Sequence, residues 1–333
     1  MANSYTKARI HKIVRRFGLS PLTSNSVSSF YRKNAVLKVN TRSGTYAIKP
    51  YFRNKFIRTS TIHQIRTTTR YIQLLMNNGF GYMPAWLESK SENLWTLDQG
   101  RPFYVTAWIK GRNLEKQEDF IELGRALVTL HTISNGFLQT KGASARTQIQ
   151  YWEFLDRLFR RRMAKTVRKN NRIRRWYDIY GEQCNKLSNL AWTELRSPEI
   201  KDLLDREPVR PALIHNDITS PNVIISDEGP LFIIDWDSIK VGSIYVELAK
   251  ALMNTCQFNP DFIRSLLNGY EELYPLNRTE RKLISSIYRL PREAWQATLF
   301  PNRPISRETL SIMERTWADR LKAMDLLDEW SNQ

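Results

Sequence analysis

The chain has 333 residues, a length that suits one large domain or two lobes. Its hydrophobic share of 41% and aromatic share of 11% supply enough apolar mass for a core and exclude wholesale disorder. No stretch approaches the roughly 18 uncharged apolar residues of a membrane span, and residues 1–7 lack an apolar signal core. A soluble intracellular protein is therefore expected. Cys184 and Cys256 stand far apart without a CxxC pattern, which excludes a disulfide framework and a cysteine zinc site. The net charge of +18 is unevenly placed: residues 1–87 carry 15 Lys or Arg and no acid. All 33 acids fall in residues 88–333, opposite 36 basic residues, so that part nets only +3. Residues 157–175 hold ten basic residues and no acid. Such fields concentrate anionic partners without naming them.

In chain order, residues 5–17 predict a short basic helix ended by Gly18 and Pro21. Residues 35–39 and 45–49 predict a strand pair, with a turn at Thr41-Arg42-Ser43-Gly44. A helix is expected over 55–77, stopped by Asn78-Gly79. A second hairpin joins 94–97 to 103–106 through Gln99-Gly100-Arg101-Pro102. Beyond Gly111 the pattern is mainly helical: Ile121, Leu123, Leu127, Val128 and Leu130 fit one apolar helix face. Residues 151–190 read as one long or two shorter helices. A β-island interrupts at 212–235, with strands at 212–214, 223–225 and 231–234 and a turn at 226–230. From 244 the pattern is helical to the end. The architecture expected is a small β-rich lobe over 1–105, a connector over 106–111, and a large helical lobe over 112–333 that holds the β-hairpin.

The β-island carries the chemistry. It contains His215-Asn216-Asp217, then Asn222, then Asp235-Trp236-Asp237. Folding the hairpin at Gly229 brings Asp235 back beside Asn222. An amide oxygen and a carboxylate then converge, a donor set that suits a hard Mg²⁺ ion. Asp217, five residues before Asn222, is a second carboxylate able to accept a hydroxyl proton. Phosphoryl transfer needs that combination of metal ligands and a nucleophile-orienting carboxylate.

The pattern His215-x-Asp217-x-x-x-x-Asn222, followed by Ile234-Asp235-Trp236-Asp237, resembles the kinase-like fold in its aminoglycoside phosphotransferase and choline kinase branch. That resemblance implies a two-lobed α+β protein-kinase-like fold and an ATP- and Mg²⁺-dependent phosphotransferase acting on a hydroxyl. It implies Asp217 as catalytic base, His215 as a brace of the loop, and Asn222 and Asp235 as metal ligands. Tyr46-Ala47-Ile48-Lys49 is similar to the strand whose lysine meets nucleotide phosphates. Residues 103–109 look like the hinge whose backbone meets adenine, which puts nucleotide contact on Thr106 and Trp108 beside Lys49. Only about a dozen residues separate Asp235 from the next helix near Glu247, too few for a protein-kinase activation segment. No Asp-Phe-Gly or Ala-Pro-Glu occurs either.

A narrower resemblance is to the spore-coat protein S (CotS) family, kinase-like proteins of endospore-forming bacteria associated with the spore coat. Tyr46-Ala47-Ile48-Lys49, Asn78-Gly79-Phe80, Trp108-Ile109-x-Gly111-Arg112, Trp236-Asp237-Ser238-Ile239 and Tyr274-Pro275-Leu276 carry it. It implies a place in the coat, with coat proteins or an anionic polymer meeting the basic surfaces. Four departures stand out. With no acid before Glu88, the usual lysine–glutamate pair has no counterpart in residues 1–87, leaving Gln64 or Gln73 to hydrogen-bond Lys49. No glycine-rich loop precedes Lys49, so backbone amides of Ser24, Asn25 or Ser26 are the substitute phosphate loop. His-Asn-Asp replaces His-Gly-Asp, and Glu247-Leu248-Ala249 replaces Asp-Leu-Ala, with a methylene that loosens the loop's brace. Two alternatives follow: a catalytically inactive pseudokinase that docks coat components, and a nucleic-acid binder. The latter is disfavoured, because nothing matches a helix-turn-helix or RNA-binding motif.

Overall fold

The computed structural model describes residues 6–29, 32–51, 62–133, 144–166, 171–209, 211–300 and 303–333. The chain divides into two compact units, residues 1–114 with 221–240, and residues 115–220 with 241–333.

The first unit is built on a five-stranded antiparallel sheet. Its strands are β1 (Pro21–Ser29), β2 (Arg32–Thr41), β3 (Gly44–Pro50), β4 (Thr96–Asp98) and β5 (Arg101–Ala107), in the order β1-β2-β3-β5-β4. Both predicted hairpins form where the turn chemistry put them. Thr41 faces Gly44 across the first turn, and its hydroxyl donates to the Gly44 carbonyl at 2.9 Å. The second turn takes Gln99 and Gly100 into the left-handed region, φ 49° and 71°, as a two-residue turn that matches strand twist requires. The strand before it begins at Thr96 rather than 94. Residues 89–93 close a separate turn there, with the Ser89 N–H donating to the Asn93 carbonyl at 2.8 Å, and hold the chain out of the ladder.

Helix α1 (Lys7–Arg15) is capped by Thr6, whose hydroxyl accepts the Arg9 N–H at 3.3 Å, and Gly18 ends the segment at φ 74°. Ile10, Ile13 and Val14 repeat at helical spacing and bury against Leu37, Val39, Ile48, Phe103 and Val105. Helix α2 (Ile62–Asn77) ends at Gly79 as expected, while residues 55–61 of the predicted helix lie outside those described. Three short strands complete the unit: β6 (Gly111–Arg112), β8 (Val223–Ser226) and β9 (Leu231–Ile233). A Cβ at Gly111 would meet the Ile225 carbonyl, so this close strand contact needs glycine.

The second unit is helical apart from β7 (Ala212–Ile214) and β10 (Lys240–Gly242), the latter beginning at the unit boundary. The helices are α3 (Gln117–Ile133), α4 (Ala145–Thr166), α5 (Asn171–Leu195), α6 (Pro198–Arg206), α7 (Ile244–Thr255), α8 (Pro260–Glu271), α9 (Arg278–Arg289), α10 (Arg292–Leu299), α11 (Pro304–Arg315) and α12 (Trp317–Asn332). The stretch 151–190 is thus two helices. The basic run 157–175 divides between them, with 167–170 outside the described residues. Several of its charges are met by neighbours on the same helix: Arg160 binds the buried Asp156, Arg157 faces Glu153 and Arg174 faces Asp178.

Helices α3 and α8 cross at close range, with Phe120 stacked on Phe262 at 4.3 Å. A Cβ on Gly124 would meet the Leu266 carbonyl, and one on Gly269 the Ile121 carbonyl. Gly124→Ala and Gly269→Ala are each expected to cost about 1–3 kcal/mol of stability by overpacking. Denaturant unfolding measures it, and an unchanged midpoint would refute the tight crossing.

Candidate active site

In the first unit, the hairpin of β8 and β9 turns at Gly229, φ 107°. Val223 lies opposite Ile233. The Ile234 N–H donates to the Asn222 carbonyl at 2.8 Å, extending that register by one step. Asp235 is therefore one residue past the position facing Asn222, as the folded hairpin predicts. Asp235 takes a left-handed backbone, φ 71° and ψ 50°, costly for a residue with a Cβ. Its neighbour holds it there. Trp236 is buried, its indole N–H donates to the Ile233 carbonyl at 2.6 Å, and Phe80 packs edge-on at 5.5 Å.

Lys49 at the end of β3 forms an ion pair with Asp235, and its Nζ lies 4.0 Å from Asp237 Oδ2. The lysine thus has an acidic partner although residues 1–87 hold no acid. The carboxylate comes from the hairpin 186 residues on, not from residues 1–87. Gln73 donates its side-chain amide to Asn77 at 2.9 Å. Lys49 is 15% and Asp235 26% exposed, so the pair is only partly screened by water.

Behind the pair stands an aromatic cluster that sequence reasoning missed. Tyr104 faces Lys49 across the β3–β5 ladder, stacks on Trp86 at 4.5 Å and lies 4.8 Å from Tyr51. Burial pushes the Tyr104 hydroxyl well above its ordinary value, and the charges of Asp235, Asp237 and Tyr51 add to it. Burial, then Asp237, does the same to Tyr51. Both phenols stay protonated and give the carboxylates an apolar wall. The sequence reading places Tyr104 in the second hairpin but does not set it opposite Lys49.

Thr106 is buried, pairs with Ala47 and bridges Trp86. The Trp108 N–H donates to the Thr45 carbonyl at 2.9 Å, so that donor is spent within the sheet, and Lys38 Nζ sits 4.8 Å over the Trp108 ring. Ser24, Asn25 and Ser26 are not in a loop. They lie inside β1, in register with Val39, Lys38 and Leu37. Residues 30–31, between β1 and β2, lie outside the described residues.

The second unit holds the loop that follows β7. His215 is fully buried, and its Nδ1 accepts the Asp217 N–H at 3.3 Å. Asn216 takes φ 68°, the left-handed angle that asparagine tolerates better than most residues. Asp217 is exposed. Glu247 of α7, 3% exposed, accepts the His215 N–H at 3.2 Å, the Asn216 N–H at 2.5 Å and the His131 Nε2 bond at 2.9 Å. The extra methylene thus does not loosen the brace. Burial works to raise the Glu247 pKa. The hydrogen bond from His131, the electrostatics of His131 and His215 and the Asn216 N–H outweigh it and hold the group below its ordinary value. His131, on the buried face of α3, also meets the Tyr270 hydroxyl at 2.9 Å. In sequence it reads as one more core position. Lys250 adds a bond to the Asn216 carbonyl at 3.2 Å, and Asn254 one to the Ile218 carbonyl at 3.3 Å.

Among the described residues, no group of three or more His, Cys, Asp or Glu side chains forms a metal cage. That is compatible with Mg²⁺, which takes one or two protein oxygens and fills its shell with water and phosphate oxygens. Asn222 and Asp235 offer such a donor set.

A lysine-bearing antiparallel sheet, a hairpin ending in an aspartate, and a mainly helical unit with a braced His-Asn-Asp loop define a protein of the two-lobed kinase-like α+β class. Comparison with known proteins narrows it. The Phosphotransferase enzyme family (APH) matches residues 32–282, and the chain belongs to that family. An aminoglycoside phosphotransferase structure from Alicyclobacillus acidocaldarius superposes with a TM-score of 0.83 at 12% identity, covering 100% of this chain and 98% of the other. A spectinomycin phosphotransferase bound to AMP gives 0.65 at 15% identity, covering 96% and 97%. The choline kinase LicA of Streptococcus pneumoniae gives 0.54 at 17% identity, covering 97% and 99%. At these identities the likeness is one of fold. No curated protein matches the sequence. No helix among the described residues is long and apolar enough to cross a membrane.

Proposed function

We propose that this protein is an ATP- and Mg²⁺-dependent phosphotransferase that phosphorylates a hydroxyl group. The observation that carries the reading is the ion pair of Lys49 with Asp235, on the hairpin that also presents Asn222. A lysine without an acid in its own segment is nevertheless held in place, and the metal-type donors are retained. Lys49 then contacts nucleotide phosphates, and Asn222 and Asp235 hold the cation, which neutralises phosphate charge when bound. The backbone of residues 103–109, with Thr106 and Trp108, lies along the base. Asp217 orients the acceptor hydroxyl and takes its proton, on a loop kept in shape by His215 and Glu247. Complexes of relatives with AMP, and with ADP and spectinomycin, support a nucleotide as co-substrate and a small alcohol as acceptor. Aminoglycosides, macrolides and choline form the first acceptor panel.

Thermal unfolding with and without Mg²⁺ and ATP tests this, on wild type and Asp235→Ala. A ligand at a hundredfold its dissociation constant adds about 2.7 kcal/mol of stability. A Mg²⁺-dependent shift in wild type that vanishes in the variant is expected. No shift at saturating nucleotide would overturn the reading in favour of an inactive kinase-like docking protein.

The spore coat is the proposed place of action, on the resemblance of the ordered series from Tyr46 to Leu276 to the spore-coat protein S family. Coat proteins or an anionic polymer are the partners proposed for the basic surfaces. A tagged copy in an endospore-forming host should fractionate with the coat. Recovery in the soluble fraction alone would sink that assignment.

A further inference from the structure

The amino-terminal positive charge has a structural use that phosphate transfer does not absorb. Burying Ile10, Ile13 and Val14 turns the opposite side of α1 outward, and His11, Lys12 and Arg15 follow one another there at spacings of one, three and four. They line an open cavity of about 600 Å³, inside the range of small-molecule sites. Arg16, Lys90, Ser91 and Thr96 also line it. The cavity is built rather than incidental. The Lys90 N–H donates to the Arg16 carbonyl at 2.7 Å, and the Arg16 guanidinium donates to the Thr96 hydroxyl at 3.3 Å. The turn carrying Lys90 and Ser91 is closed by the Ser89–Asn93 bond.

Four basic side chains and a histidine line it, and none of the described lining residues is acidic. Asp98, beside α1, is buried and bound by Arg9 at 2.7 Å, and lies 3.9 Å from Lys12 Nζ. Glu88 and Glu92 flank the lining turn without lining the cavity. Basic side chains that line one cavity repel one another less once an anion joins them, and arginine forks, lysine and hydroxyls together match phosphate oxygens. None of the lining residues is Lys49, Asn222, Asp235 or Asp237.

We propose that the cleft between α1 and the 88–96 segment is a second anion site, which takes a compact ligand carrying two or more phosphate groups. Its occupant bridges α1 to the segment that leads into β4 and so stiffens the sheet-bearing unit.

Calorimetric titration of the full-length protein with inorganic tripolyphosphate at low salt tests this, in wild type, Lys12→Ala/Arg15→Ala and Lys49→Ala. Lys12 and Arg15 are exposed, so the double variant folds, which its thermal unfolding confirms. Single-site binding in wild type is expected, weakened about tenfold or more in the double variant and retained in Lys49→Ala. The double variant should keep the Mg²⁺–ATP stabilisation of wild type. Equal binding by wild type and the double variant overturns the proposal. So does loss of binding in Lys49→Ala, which would place tripolyphosphate at the nucleotide site. Binding of a long polyanion such as heparin with no binding of tripolyphosphate also overturns it, because a charged face rather than a compact site would then be at work.

Discussion

Replacing Asp217 by alanine is expected to lower phosphate transfer by about 10²–10⁴-fold, the usual contribution of a positioned general base, while nucleotide binding stays as in wild type. The expectation rests on where Asp217 stands in its loop. Its side chain is exposed, whereas the two side chains that fix its backbone are buried: its N–H donates to His215 Nδ1, and Glu247 holds the two residues before it. Truncating an exposed side chain leaves those bonds in place, so the variant folds. The loss then reports chemistry rather than stability. ADP release with the best acceptor gives the rate, and the Mg²⁺–ATP thermal shift gives binding. A variant that turns over at the wild-type rate removes Asp217 from the mechanism. A variant that loses the thermal shift as well would make it a nucleotide ligand instead.

The parts of this fold that were legible in the sequence are those whose causes are local. Thr41–Gly44, Gln99-Gly100 and Gly229 make turns through their own backbone preferences, so both sheet hairpins and the Asp235 hairpin followed from short windows. Asn216 stands where the resembling motif has glycine, and its left-handed angle is one that asparagine tolerates better than most residues. What escaped depends on distance along the chain. The partner of Lys49 lies 186 residues away, and no periodicity near Lys49 points to it. His131 sits among apolar residues at helical spacing, and only the packing of α3, α7 and α8 reveals that it joins Glu247 to Tyr270. Ser24–Ser26 look like loop residues by composition, yet a β2 partner strand rich in Val and Leu draws them into the ladder. Glu247 shows the limit of reasoning by side-chain length. One methylene more than aspartate suggested a slack brace, but the backbone of α7 sets where the carboxylate arrives, and it arrives within reach of three donors.

Glu247→Ala is expected to destabilise the protein by about 3–5 kcal/mol, because two buried donors and one part-buried donor lose a charged acceptor at once. Glu247→Gln should cost about 1–3 kcal/mol. Its amide oxygen can serve one side of the loop, while its NH₂ must face either the Asn216 N–H or the His215 N–H, donor against donor. The pH dependence separates charge from packing. The folded Glu247 pKa is held below its unfolded value, so the unfolded chain binds the extra proton first as pH falls. The stabilisation is complete above the ordinary carboxylate range and disappears as pH falls through the lowered folded value. Stability should therefore rise with pH across that acidic window in wild type, and more shallowly in Glu247→Gln, which has no carboxylate to titrate there. Urea midpoints measured from acid to neutral pH test both statements. Parallel curves for the two proteins would show that Glu247 acts through shape alone. A Gln variant as stable as wild type at neutral pH would show that the loop does not need the acceptor.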